Sequence, residues 1–112
     1  MTKRHEVFIS YSSQDKATAD AIREALEDAS LRCWIAPRDI TPGRKYAEAI
    51  LDGIDQCKVF LLVLTESANA SPQVEMEVNR AASKDKLVLS LKLDQGRLSK
   101  SFEYSGNRIT RR

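Results

Sequence analysis

One histidine, two cysteines and no apolar run longer than Val59–Leu64 leave several classes of function without their chemistry. A membrane-spanning helix needs about 20 apolar residues in succession, so that run cannot cross a bilayer. The first residues, Met-Thr-Lys-Arg-His, have no apolar centre of the kind a signal peptide carries, and the expected location is the cytoplasm. His5 precedes the first strand, so a Ser-His-Asp or Cys-His set would need it to reach a site at the far end of a sheet. Cys33 and Cys57 lack CxxC spacing and read as buried free thiols. No metal-ligand cluster, GxGxxG or Walker A loop is present, which argues against a metalloenzyme, a Rossmann oxidoreductase and a P-loop NTPase. Excess charge of one sign is also lacking: 18 basic and 16 acidic residues are interspersed for a net +2. Nothing in that balance calls for a nucleic acid or a membrane surface, and Arg108, Arg111 and Arg112 read as a solvated tail.

What is present fits one domain across residues 1–112, its core expected over about 5–105. The most informative stretch is Cys-Trp-Ile-Ala-Pro-Arg-Asp-Ile-Thr-Pro-Gly at 33–43. Pro37 and Pro42 restrict the backbone and Gly43 permits a turn, so Trp34, Arg38 and Asp39 are presented together at a strand exit, as in a binding loop.

Hydrophobic spacing predicts alternating strands and helices. Val7-Phe8-Ile9 is a strand that runs into Ser10-Tyr11-Ser12-Ser13, and Ser12 with Asp15 has capping-box spacing for a helix over 14–29. Ala17, Ala21, Ile22, Ala25, Leu26 and Ala29 are its expected sheet-facing residues. A second strand over 31–35 leads into the Pro-rich loop. A second helix is marked by Tyr46, Ala47, Ile50, Leu51 and Ile54. The continuous apolar run within 57–64 predicts a central parallel strand covered on both faces. Ser71 as N-cap with Pro72 behind it opens a third helix to about residue 84, and 87–93 is a fourth strand. The β-α-β-α-β-α-β order implies a parallel sheet between helices, with ligands beyond the carboxyl ends of its strands.

On the third helix Val74, Val78 and Ala81 face the core, and Glu77 falls on the shoulder of that stripe with Gln73 one turn before it. Periodicity leaves two readings for Glu77: a carboxylate aimed at the sheet's C-terminal edge, or a surface ion pair with Arg80 or Arg44. A response regulator, which shares this architecture, needs clustered acids and a phosphoacceptor after the middle strand, where Leu64-Thr65-Glu66-Ser67 stands.

Phe8-Ile9-Ser10-Tyr11-Ser12, Asp15, Cys33-Trp34-Ile35-Ala36-Pro37-Arg38-Asp39-Ile40, Pro42-Gly43 and the stretch 71–77 resemble, in order and spacing, the TIR (Toll/interleukin receptor/resistance) domains, bacterial ones in particular. The resemblance implies a flavodoxin-like α/β fold. It implies that Glu77 matches the catalytic glutamate of those members that cleave the nicotinamide–ribose bond of NAD, giving ADP-ribose or a cyclic isomer. It further implies that loop 34–43 lines a nucleotide pocket and helps other TIR domains associate. Arg38 would then contact phosphate or orient the loop, Trp34 pack under the loop or against a ring, and Tyr11 and Ser12 approach ribose or pyrophosphate. The plainer readings stay open beside these: Trp34 as a core anchor, Arg38 in an ion pair with Asp39 or Glu48, Ser12 as a helix cap.

No cofactor beyond NAD as substrate is implied. The chain departs from the resemblance twice. Gln73 stands where many NAD-cleaving members carry an aromatic, which implies low activity. After the fourth strand it runs through 102–109 where the family usually has a fifth strand and a last helix, so a trimmed fold or part of a longer protein is expected. Two functions follow: an NAD glycohydrolase switched on by self-association in bacterial defence, or a non-catalytic signalling adaptor.

Overall fold

A computed structural model describes residues 5–93, 102–105 and 108–111. Residues 1–4 and 112, which hold the polar N-terminus and the last arginine of the basic run, lie outside them. Strand β1 (Val7–Ser10) runs into a 3-10 turn, Ser13–Asp15, and then α1 (Lys16–Asp28). There follow β2 (Cys33–Trp34), α2 (Tyr46–Gln56), β3 (Val59–Leu64), the one-turn α3 (Glu66–Asn69), α4 (Pro72–Ser83) and β4 (Leu87–Lys92). Strands β5 (Phe102–Ser105) and β6 (Arg108–Arg111) pair antiparallel in a sheet of their own.

The main sheet is parallel throughout, in the order β2-β1-β3-β4, with Phe8 level with both Trp34 and Phe60. This is the parallel α/β sheet that the apolar run of β3 and the alternation of elements predict, in the flavodoxin-like form that the resemblance implies. Strand side chains alternate between faces and build two cores. Toward α2 and α4 lie Phe8, Phe60, Leu62, Ile50, Ile54, Val74 and Val78. Toward α1 lie Val7, Ile9, Ile35, Val63 and Ala19. Each fully buried large apolar side chain contributes roughly 1.5–3 kcal/mol. Beyond α1 on the second face, among the described residues, Val7, Leu26, Leu31, Val59, Leu61 and Leu89 line an apolar groove of about 440 Å³.

Several details differ from the sequence reading. In α1 the stripe that meets the sheet is Ala19, Ile22 and Leu26, while Ala17, Ala21, Ala25 and Ala29 are exposed. Ile22 and Leu26 turn inward as expected, and burying each of these large side chains removes more apolar area from water than burying an alanine does. Residues 31 and 32 are not strand. Ser30 adopts a left-handed φ of 69°, and the Leu31 N–H returns to the Leu26 carbonyl at 2.9 Å, closing α1. Asp85 (φ 56°) and the Lys86 N–H bond to the Ala81 carbonyl end α4 the same way. The capping box at Ser12 is half formed. Ser12 Oγ accepts from the Gln14 N–H at 3.4 Å, but Asp15 accepts instead from the Thr65 hydroxyl at 2.6 Å. Thr65 Oγ1 in turn accepts the Ala68 N–H at 3.0 Å and starts α3, a turn too short to show in hydrophobic spacing.

Candidate functional site

The carboxyl end of β1 and the starts of α2 and α4 converge on a small cavity of about 150 Å³. Tyr11, Ser13, Tyr46, Ser71, Gln73 and Glu77 line it, over a floor of Phe8 and Ile9. Ser71 Oγ accepts the Val74 N–H at 3.2 Å, and Pro72 at the first helical position needs no N–H partner, so α4 starts sharply beside the cavity. One turn into that helix Gln73 and Glu77 lie on the same side, four residues apart.

Glu77 is only 6% exposed. Its Oε1 accepts the Ser10 hydroxyl at 2.7 Å and its Oε2 accepts the Gln73 amide at 2.8 Å. Burial pushes its carboxyl above the ordinary value, while the Gln73 and Ser10 hydrogen bonds pull it back. Neither ion pair that periodicity allows for Glu77 is made. Arg80 bonds both oxygens of Asp55 at 2.9 and 2.7 Å, and Arg44 pairs with Asp52 at 2.6 Å. Glu77 is thus a buried carboxylate between two neutral donors, with no cation paired to it among the described residues. Such a group is complementary to a positive charge arriving in the cavity.

The loop residues stand elsewhere. Trp34 lies face to face with Phe8, centroids 5.0 Å apart and planes 9° from parallel, and packs on Gly53 of α2. It is the core anchor of its plainer reading and lines a separate cavity of about 390 Å³ with His5, Asp39, Arg44 and Asp52. Arg38 turns to α1, where it reaches Glu27 at 2.9 Å, and it also holds Asp39 at 2.8 Å and the Cys33 carbonyl at 2.9 Å. The Glu27 and Asp39 carboxylates hold its guanidinium above its ordinary value. Asp39 closes the loop on itself: Oδ2 accepts the Ile35 N–H at 2.9 Å while its own N–H donates to the Ile35 carbonyl at 3.0 Å. Trp34, Arg38 and Asp39 thus do not line the cavity that holds Glu77, and each is taken up by packing or ion pairing on the edge-strand side. Tyr11 does line the Glu77 cavity, but its hydroxyl donates to the Ala36 carbonyl and ties β1 to the loop. Ser12 is turned into its cap, and its neighbour Ser13 lines the cavity instead.

Two residues missed by the sequence reading matter here. Ser10 reads as the polar end of a strand, although alternation places it on the same face as Phe8 and hence toward α4. Tyr46 reads as a core marker of α2 but is 56% exposed at the mouth of the cavity. An aromatic in the first turn of a helix just after Pro42-Gly43 is the signal that could have found it.

A family profile described as TIR domain matches residues 7–108. No curated protein sequence matches the chain. Among solved structures it is similar to the TIR domain of the Toll-related receptor TRR-2 of Hydra magnipapillata, with a TM-score of 0.77 and 20% identity over 85% of this chain and 75% of that one. It is similar to the TIR domains of the activated Roq1 resistosome, which recognises the pathogen effector XopQ, with a TM-score of 0.69 and 13% identity over 77% of this chain and 55% of that one. It is also similar to BcmB, a CMP N-glycosidase of Clostridium botulinum, with a TM-score of 0.54 and 18% identity over 76% of this chain and 66% of that one. At these identities the likenesses speak for the fold.

Proposed function

The chain belongs to the TIR domain family, and from that membership we propose that it cleaves the N-glycosidic bond between nicotinamide and ribose in NAD, with Glu77 as the catalytic carboxylate. The observation that carries this reading is the buried carboxylate at the C-terminal edge of the sheet, with no cation paired to it among the described residues. In NAD the nicotinamide is already cationic and leaves without needing a proton. As the bond to ribose C1′ breaks, its electron pair stays on the nicotinamide nitrogen and positive charge grows on the sugar, where Glu77 stabilises it. Water then adds to C1′ and loses a proton to solvent, giving ADP-ribose, or a ring nitrogen of the adenine adds and closes a cyclic isomer.

A cavity of about 150 Å³ accepts one sugar ring and part of the base, against the roughly 300 Å³ or more of sites that enclose a whole ligand. Tyr46 at the rim offers the aromatic surface that Gln73 does not, so the base stacks at the mouth and the pyrophosphate lies outside. Concentrated protein incubated with NAD, beside Glu77→Gln, tests the reading: Glu77-dependent nicotinamide release is expected, and release unaffected by the substitution would remove Glu77 from the mechanism.

One observation favours a second reading, a signalling adaptor that acts by association with other TIR domains. Trp34, Arg38 and Asp39 are held by packing, ion pairs and a loop-closing hydrogen bond away from the cavity, as suits a docking surface. Assembly of Glu77→Gln protein with no NAD cleavage by the unsubstituted chain would favour it.

A further inference from the structure

Ser10 closes β1 at a position where packing alone asks for an apolar residue: it lies level with Leu62 and is 1% exposed. A hydroxyl buried that deeply is costly unless it is bonded. Its proton goes to Glu77 Oε1 at 2.7 Å, across 67 residues of sequence. Gln73 holds the other oxygen at 2.8 Å, so each end of the carboxylate has one fixed donor. A carboxyl group turns easily about its last bond, and two donors on opposite oxygens fix its plane. The two are unequal in kind. Gln73 is exposed, and water can stand in for its amide. Nothing replaces a hydroxyl inside the core.

On the reading of Glu77 as the catalytic carboxylate, we propose that Ser10 is its positioning residue, whose buried hydroxyl sets the plane of the carboxylate and favours its ionised form. Ser10 touches no substrate; it acts through Glu77. Burial drives the Glu77 carboxyl upward; the Gln73 hydrogen bond opposes that drive, and so does the Ser10 one. Removing it leaves burial less opposed, and the acid form persists to higher pH. A hydrogen bond to a charged group is strong enough to change the ionised fraction about tenfold.

The test follows two signals in Ser10→Ala, Ser10→Thr and Gln73→Ala proteins carrying 13C-labelled glutamate carboxyls: the Glu77 carboxyl resonance against pH, and nicotinamide release against pH. In Ser10→Ala both curves move together to higher pH, and release on the acidic limb falls by up to about tenfold while recovering as pH rises. Ser10→Thr restores the hydroxyl and keeps both curves near the original; Gln73→Ala moves them less than Ser10→Ala. Ser10→Cys, close in size but a weak donor, moves them in the same direction and serves where Ser10→Ala does not fold. A Ser10→Ala protein whose Glu77 resonance titrates as before overturns the proposal. A shifted resonance in a chain that releases no nicotinamide at all retains Ser10's hold on Glu77 and rejects the enzymatic reading instead.

Discussion

Arg38 reaches back across 11 residues to Glu27 and bonds it at 2.9 Å, fastening the loop after β2 to the last turns of α1. The guanidinium so placed is spent on structure, and it faces away from the cavity that holds Glu77.

Arg38→Met keeps the stem and removes the charge. The KM for NAD is expected to stay within about twofold of the original, because no phosphate contact is lost. Stability falls by up to about 1 kcal/mol, the ceiling for an exposed pair. Steady-state kinetics beside urea denaturation check both, and a large rise in KM would return Arg38 to the substrate site.

Asp39→Ala is costlier. It strips the Ile35 N–H of its acceptor and takes from Arg38 one of its two carboxylate partners, so a loss of about 1–3 kcal/mol is expected. A thermal shift as small as that of Arg38→Met would mean that the loop does not depend on this turn.

Glu77→Gln is expected to cut nicotinamide release by about 10²–10³-fold, the range for one electrostatic group removed from a transition state. The fold should survive, since glutamine keeps an oxygen for the Ser10 hydroxyl, and the exposed Gln73 amide can turn over so that its oxygen accepts the new N–H. Circular dichroism and release rates on the same sample separate loss of chemistry from loss of structure.

Two pH dependences follow from the raised Glu77 carboxyl. Release requires the ionised form, so its acidic limb lies above the ordinary carboxylate range. Stability runs the other way. A folded-state value above the unfolded one contributes stability that is full below about pH 4.5 and is lost as pH rises through the folded value. Glu77→Gln lacks this dependence and is expected to be relatively more stable at neutral pH than in acid. Melting temperatures across pH 4–8, compared between the two proteins, check the sign.

Gly53→Ala places a methyl carbon 2.9 Å from two ring carbons of Trp34 and 3.1 Å from Phe8. Alanine favours a helix over glycine by about 1 kcal/mol, but the stacked rings cannot both move away. Overpacking of about 1–3 kcal/mol wins, and a net loss of stability is expected in denaturant titration.

How legible these features were in the chain depended on their range. The apolar run of β3 and the Ser71-Pro72 start of α4 are local statements, and the sheet and helix they predict are there. The resemblance pointed to Glu77, yet periodicity could not choose between cavity and surface. The choice rests on Ser10 and on where Arg80 and Arg44 find their own partners, contacts across 67, 25 and 8 residues. Trp34, Arg38 and Asp39 looked like one binding loop because sequence shows neighbours and not directions. In space one stacks on Phe8, one reaches Glu27 and one turns back on Ile35. Tyr46 was misread because an apolar ring at helical spacing looks like core whether or not a helix start exposes it.

Trp34 is the only tryptophan in the chain, and its stack on Phe8, contact with Gly53 and tilted approach to His5 make the protein its own optical probe. Its fluorescence reports the seating of the edge strand against α2 without any attached dye. His5 bonds the Gly53 carbonyl at 2.7 Å and burial pulls its imidazole below the ordinary value, so the ring beside the indole is uncharged at neutral pH. Changes in emission can therefore be followed as the loop is loaded, assembled or strained, while the chemistry at Glu77 is watched separately.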